Sequence, residues 1–114
     1  MYQNNVVLCA SSAYEKKFYL NEDFKALPEQ IQQELKIMCV LFTEDIGGVL
    51  SLEFDEEGTL LFKVDSDEGD YLYDEIGSAL KVKELQRTKT ELLEALEIYY
   101  KVFFLGEDAA DLLN

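Results

Sequence analysis

Leu50-Ser51-Leu52-Glu53-Phe54-Asp55-Glu56-Glu57-Gly58-Thr59-Leu60-Leu61-Phe62-Lys63-Val64 is the stretch that decides the fold class. Leu50, Leu52 and Phe54 alternate with Ser51 and Glu53. Leu60, Phe62 and Val64 alternate with Leu61 and Lys63. Period-2 alternation puts one set of side chains on one face of a strand. Asp55 to Gly58 lies between the two runs, and Gly58 suits the left-handed position that ends a type I turn with a bulge. The spacing therefore predicts a hairpin. Its one apolar face and one mixed face fit an antiparallel sheet covered by helices on a single side.

Upstream of the hairpin, Pro28 suits the first turn of a helix, where its missing N–H costs nothing. Ile31, Leu35, Met38, Phe42 and Ile46 then recur at helical spacing. Gly47-Gly48 supplies a stop, so a helix is predicted over 28–46. Ile37, Val40 and Leu41 fall off that stripe, which predicts a helix middle covered on more than one side. Further upstream, Val6 to Ala10 and Lys17 to Leu20 read as two short strands, with Asn21 to Leu27 as a polar link to the helix.

Downstream, Asp65 to Asp70 reads as an acidic loop and the remainder as helical. Leu72, Tyr73, Ile76 and Leu80 form one apolar stripe. Leu85, Leu92, Leu96, Tyr99 and Phe103 form a second. Thr88-Lys89-Thr90-Glu91 matches a capping box, which leaves open one long helix or two with a break near residue 88. Lys81-Val82-Lys83 also alternates as a strand would. Residues 106–114 read as a loose acidic tail. The expectation is one α+β domain over residues 1–114, of two β-hairpins and two main helices in the order ββαββα. Its small antiparallel sheet carries the helices on one side.

The 114 residues carry 24 Asp and Glu against ten Lys and Arg, a formal net charge of −14. Such a field repels phosphate backbones and anionic membrane surfaces, so neither nucleic acid nor membrane is an expected partner. No apolar run has the length of a membrane span. Met1 to Ala13 lacks a basic start and an apolar run of signal length. The two cysteines, Cys9 and Cys39, sit in apolar company and read as buried, reduced thiols. The expected setting is the cytoplasm.

Catalytic chemistry finds little purchase. The sequence contains no His, so Ser–His–Asp and Cys–His arrangements are absent, and two separated Cys cannot complete a zinc site. No catalytic, cofactor-binding or metal-ligating residue is singled out, and the expectation is a protein that is not an enzyme and takes no cofactor. Asp65-Ser66-Asp67-Glu68-Gly69-Asp70 fits a calcium loop at its first and third positions only. Its fifth position is Gly69, its sixth Asp70 and its twelfth Ile76. A solvated acidic turn is the simpler reading, with a weak cation or small-ligand site as the alternative. Lys81, Lys83, Arg87 and Lys89 form the basic cluster of the sequence, with Glu84 and Glu91 near enough to balance it.

Tyr73-Asp74-Glu75-Ile76-Gly77-Ser78, the following Leu80-Lys81-Val82-Lys83-Glu84-Leu85-Gln86 on to Glu94, and Cys39-Val40-Leu41-Phe42-Thr43-Glu44 resemble a family of small uncharacterised cytoplasmic proteins from clostridial bacteria. The resemblance extends over most of the chain. It implies a bacterial cytoplasmic protein and supplies no activity and no functional residue.

The strongest local feature is Ile98-Tyr99-Tyr100-Lys101-Val102-Phe103-Phe104-Leu105. Tyr99 and Phe103 belong to the second stripe. Ile98, Val102 and Leu105 point to the opposite side, with Phe104 between. A helix apolar all round is buried all round, and a domain this small has difficulty covering both sides itself. Ile98, Tyr100, Val102, Phe104 and Leu105 are the candidate interface. The functional expectation is a non-enzymatic interaction domain, self-associating as a homodimer through this helix. The alternative is an acidic adaptor or regulator that holds a basic protein partner.

Overall fold

The structure is a computed structural model that describes residues 4–108. The 50–64 hairpin is present as β3 (Val49–Phe54) and β4 (Leu60–Asp65), with Leu52 opposite Phe62. The Asp55 carboxylate accepts from the amides of Glu57 and Thr59, both at 2.9 Å, and holds the turn closed. Gly58 sits at φ 86°, where an L side chain is strained, and a Cβ there would lie 2.8 Å from the Lys101 side chain.

A second hairpin, β1 (Val6–Ser12) and β2 (Lys17–Leu20), joins the first edge to edge. β1 runs two residues beyond the expected Ala10 because Ser11 and Ser12 pair with both neighbours. The sheet is antiparallel throughout, in the order β2-β1-β3-β4. Its register shifts between Val7 and Cys9. The extra residue of this bulge lets consecutive Leu8 and Cys9 both be buried.

Residues that pair across strands share a face. Phe18 and Leu20, Cys9 and Ser11, Leu50, Leu52 and Phe54, and Leu60, Phe62 and Val64 therefore form one surface. Three helices cover it: α1 (Glu29–Ile46), α2 (Glu75–Thr88) and α3 (Thr90–Phe103). α1 packs on β1, β2 and β3, α3 on β4, and α2 touches both other helices. Leu35, Met38 and Phe42 of the expected α1 stripe are buried, with Cys39 and Thr43 beside them. On the strand side Ser11 hydrogen-bonds the Thr43 hydroxyl at 2.9 Å, so the buried polar pair is satisfied. The α+β fold with helices on one side is thus the architecture present.

Several local expectations are overturned. The 21–27 link is not merely polar: Glu22–Phe24 forms a 3-10 turn capped by Asn21, and Phe24 and Leu27 are buried. One turn lets two apolar side chains drop into the core while the charged ones stay outside. α1 packs against the sheet and α2, but Ile37 and Leu41 of its off-stripe residues remain exposed. The capping box at 88–91 does not form. Thr88 donates back to the Glu84 carbonyl at 2.9 Å, and Lys89 leads into α3 without a side-chain cap. The helical region is accordingly two helices broken at Lys89, and Lys81-Val82-Lys83 lies inside α2. Of the 106–114 tail, Gly106 to Asp108 is described, and the Glu107 amide donates to the Lys101 carbonyl at 2.9 Å. Residues 109–114 lie outside the described residues.

Candidate functional site

The aromatic end of α3 is largely folded back onto the chain. Tyr100 is 5% exposed, and its ring stacks on Phe54 with centroids 4.2 Å apart and planes 7° apart. Phe24 joins from the 3-10 turn and stacks on Phe104 at 4.7 Å. Burial, and then the charge of Asp55, holds the Tyr100 phenol above its usual range. Tyr100 is therefore a core residue and is withdrawn from the candidate interface. The reason is rotational phase. Leu92, Leu96 and Tyr100 sit four residues apart and form the buried face. Phe103, expected on that face, is turned out and is 71% exposed. Ile98 and Val102 are half-buried, and Phe104 and Leu105 are exposed along part of their surface.

The exposed apolar surface lies elsewhere. Leu72, Ile76 and Leu80 are 94%, 76% and 63% exposed, and Tyr71 is exposed beside Leu72. The sequence pattern reads Leu72, Tyr73, Ile76 and Leu80 as one apolar helical stripe. The helix begins only at Glu75, with the Asp74 carboxylate accepting from the Gly77 amide at 2.9 Å. In the packed helix Ser78 and Leu85 are buried, and Ile76 and Leu80 face outward. Tyr73 turns inward instead and donates to Ser78 Oγ at 2.9 Å. It lines a cleft of about 630 Å³ between β4 and α2, together with Phe62, Val64 and Val82.

The acidic loop after β4 is tied down by Tyr14, which reaches across from the β1–β2 turn. Its hydroxyl donates to Asp70 at 2.6 Å and accepts from the Asp67 amide at 3.0 Å. The Asp70 bond raises the Tyr14 phenol, partly offset by the Asp67 amide. The other Asp70 oxygen accepts from the Leu72 amide at 3.2 Å, which anchors the segment leading to the exposed stripe. Among the described residues no three His, Cys, Asp or Glu side chains group as metal ligands would.

Cys9 and Cys39 are both buried and free, with their sulfurs 3.8 Å apart. The hydrogen bond to Cys39 and burial push the Cys9 thiol well up, away from nucleophilic thiolate. On the outer sheet face, Glu53 accepts from Asn5 at 3.3 Å and Ser51 at 3.0 Å, and pairs with Lys63 at 3.3 Å. In the basic cluster, Lys81 pairs with Glu84 at 3.3 Å.

Residues 5–108 match a family described as Family of unknown function (DUF6145). The chain belongs to this family. The matched span takes in every strand and helix of the DUF6145 fold described above. No curated protein and no solved structure matches the chain. The DUF6145 description names no activity, so each site here rests on its own geometry. No helix among the described residues is long and apolar enough to cross a membrane.

Proposed function

We propose that this protein is a non-enzymatic interaction domain that docks a basic, amphipathic segment of another protein on the exposed stripe of α2. The observation that carries the reading is the exposure of Leu72, Ile76 and Leu80 in a chain of net charge −14. Large apolar side chains grouped on a surface mark contact sites more often than they serve solubility. Asp70, Asp74 and Glu75 lie within the same stretch, so a helix with one apolar and one basic face complements both its hydrophobicity and its charge. A second copy fits less well, because two chains of charge −14 repel one another. The lack of His and the buried, raised Cys9 thiol support a non-catalytic role. The free thiols and the resemblance to clostridial proteins support a bacterial cytoplasmic setting.

The test uses a synthetic amphipathic helix with Leu on one face and Lys on the other, and a Glu-for-Lys version as control. The Lys peptide should bind, more weakly as salt rises. Binding should drop at least tenfold in Ile76→Ser/Leu80→Ser, which leaves the charge unchanged. Equal binding by that variant would remove the stripe from the interaction. Light scattering addresses the homodimer. A dimer broken by Phe103→Glu would place the contact at the end of α3, with Ile98, Val102, Phe104 and Leu105 around it.

A further inference from the structure

β4 is the last strand of the sheet, so one of its edges has no neighbouring strand. The turn before it fixes which backbone groups point to that edge. The Asp55 amide donates to the Thr59 carbonyl and the Gly58 amide to the Asp55 carbonyl, both at 3.0 Å, so Asp55 faces Thr59 as a hydrogen-bonded pair. Hydrogen-bonded and open pairs alternate along an antiparallel ladder. Leu61 and Lys63 therefore bond to β3, opposite Glu53 and Ser51, while the N–H and C=O groups of Leu60, Phe62 and Val64 point outward. The Leu60 amide bears this out, because it donates to Glu97 Oε2 of α3 at 2.7 Å. Among the described residues no hydrogen bond reaches the outward groups of Phe62 or Val64. Their side chains are half-buried and form one wall of the 630 Å³ cleft beside α2. Glu75, Ala79 and Val82 recur at helical spacing and form the other wall, on a different face of α2 from Ile76 and Leu80.

Free main-chain donors and acceptors along an edge are a template for one more strand, and the cleft beside them is a pocket for that strand's alternate side chains. In an antiparallel addition, the residues opposite Phe62 and Val64 each exchange a pair of main-chain hydrogen bonds with β4. Paired residues share a face. These two side chains therefore enter the cleft against Phe62, Val64, Ala79 and Val82, and apolar ones fit it. Charge selects what precedes them. β4 runs into Asp65-Ser66-Asp67-Glu68-Gly69-Asp70, and Glu75 stands at the same end of the α2 wall, so basic residues complement that end. A second copy fits poorly. Pairing Phe62 with Val64 of another β4 sets the two Lys63 side chains opposite one another, and like charges there are unfavourable. We infer that the free edge of β4 takes an extended segment of a partner protein as an antiparallel fifth strand, with apolar residues opposite Val64 and then Phe62 and basic residues just before them. The site is separate from the stripe on α2, and either can stand without the other.

The experiment uses the full chain and the peptide acetyl-Lys-Arg-Val-Thr-Val-Thr-amide, followed by amide NMR shifts and hydrogen exchange. In the free protein the amides of Phe62 and Val64 should exchange at least about tenfold faster than those of Leu61 and Lys63. The peptide, at about 5 mM, should slow both and shift amides in residues 60–66 and 75–86. N-methylation of its two valines removes the donors that face β4 and should weaken binding at least about tenfold. N-methylation of the threonine between them, whose N–H points away from β4, should change binding by no more than about twofold. Glu-Glu in place of Lys-Arg should weaken binding at least about threefold. Val64→Pro removes an outward N–H and no ladder bond, and should abolish binding. The N-methylated peptides are read on the unaltered chain, so they decide the matter whether or not Val64→Pro keeps its fold. Four outcomes would overturn the inference. These are slow exchange at Phe62 and Val64 in the free protein, no shifts with the peptide, equal binding by the valine-methylated peptide, or equal binding by the Glu-Glu peptide.

Discussion

Phe24→Ala tests the packing account most sharply, because the sequence places Phe24 in a polar link and the structure places it at 0% exposure. Its ring lies 4.7 Å from Phe104, 5.7 Å from Phe54 and 6.4 Å from both Tyr99 and Tyr100. Truncation removes a fully buried aromatic side chain, worth about 2–3 kcal/mol of transfer free energy. The space left behind and the lost ring contacts raise the expected cost to about 3–5 kcal/mol. That is a large share of the roughly 5–15 kcal/mol that holds a domain of this size together. With a urea slope of about 1–3 kcal/mol per molar, the unfolding midpoint should fall by about 1 M or more. Phe24→Leu refills part of the space and should cost about 1–1.5 kcal/mol. Phe103→Ala, on an exposed ring, should stay within about 0.5 kcal/mol. A Phe24→Ala midpoint close to wild type, or a Phe103→Ala loss as large as that of Phe24→Ala, would refute the assignment of the inward and outward rings.

Other expectations follow from single contacts. Asp74→Ala removes the cap of α2 and should cost about 1 kcal/mol, seen as a fall of about 4 °C in Tm; an unchanged melt would contradict the cap. Ser11→Ala and Thr43→Val should each destabilise by about 1 kcal/mol in urea titration, and the double variant should cost less than the two together. Strict additivity would show that the hydroxyls do not interact. Both thiols should react slowly with a thiol reagent in native buffer and promptly in denaturant; fast native labelling would mean that Cys9 and Cys39 are not enclosed. Burial tends to raise the Glu53 carboxyl, but the bonds from Asn5, Lys63 and Ser51 outweigh it and hold the group below its usual value of 4.5. Glu53 ionisation therefore stabilises the fold above that value, and the contribution is lost as pH falls through the lower folded value. The stability gap between wild type and Glu53→Gln should accordingly be present at neutral pH and shrink in acid. A gap that widens in acid would reverse the sign of this account.

The two hairpins and α1 are legible in the sequence because their cues are local. Alternation of Leu50, Leu52 and Phe54 marks a face, Gly58 marks a turn, and Leu35, Met38 and Phe42 mark a helix stripe. The C-terminal half is less legible, because its helices are rich in apolar residues on more than one side. Periodicity then admits more than one phase, and the choice is made elsewhere. The Asp74 cap sets where α2 starts, and the fit of Tyr100 against Phe54 sets which side of α3 turns inward. Tyr100 therefore moves from candidate interface to core, while Leu72, Ile76 and Leu80, read in the sequence as one apolar stripe, lie on the surface.

By itself the sequence determined the α+β class, the acidity, the lack of histidine chemistry and the burial of the cysteines. These depend on composition and on contacts within a few residues of one another. Tertiary structure decided which apolar faces and which charges meet, because burial and field depend on distances between segments that no local pattern encodes.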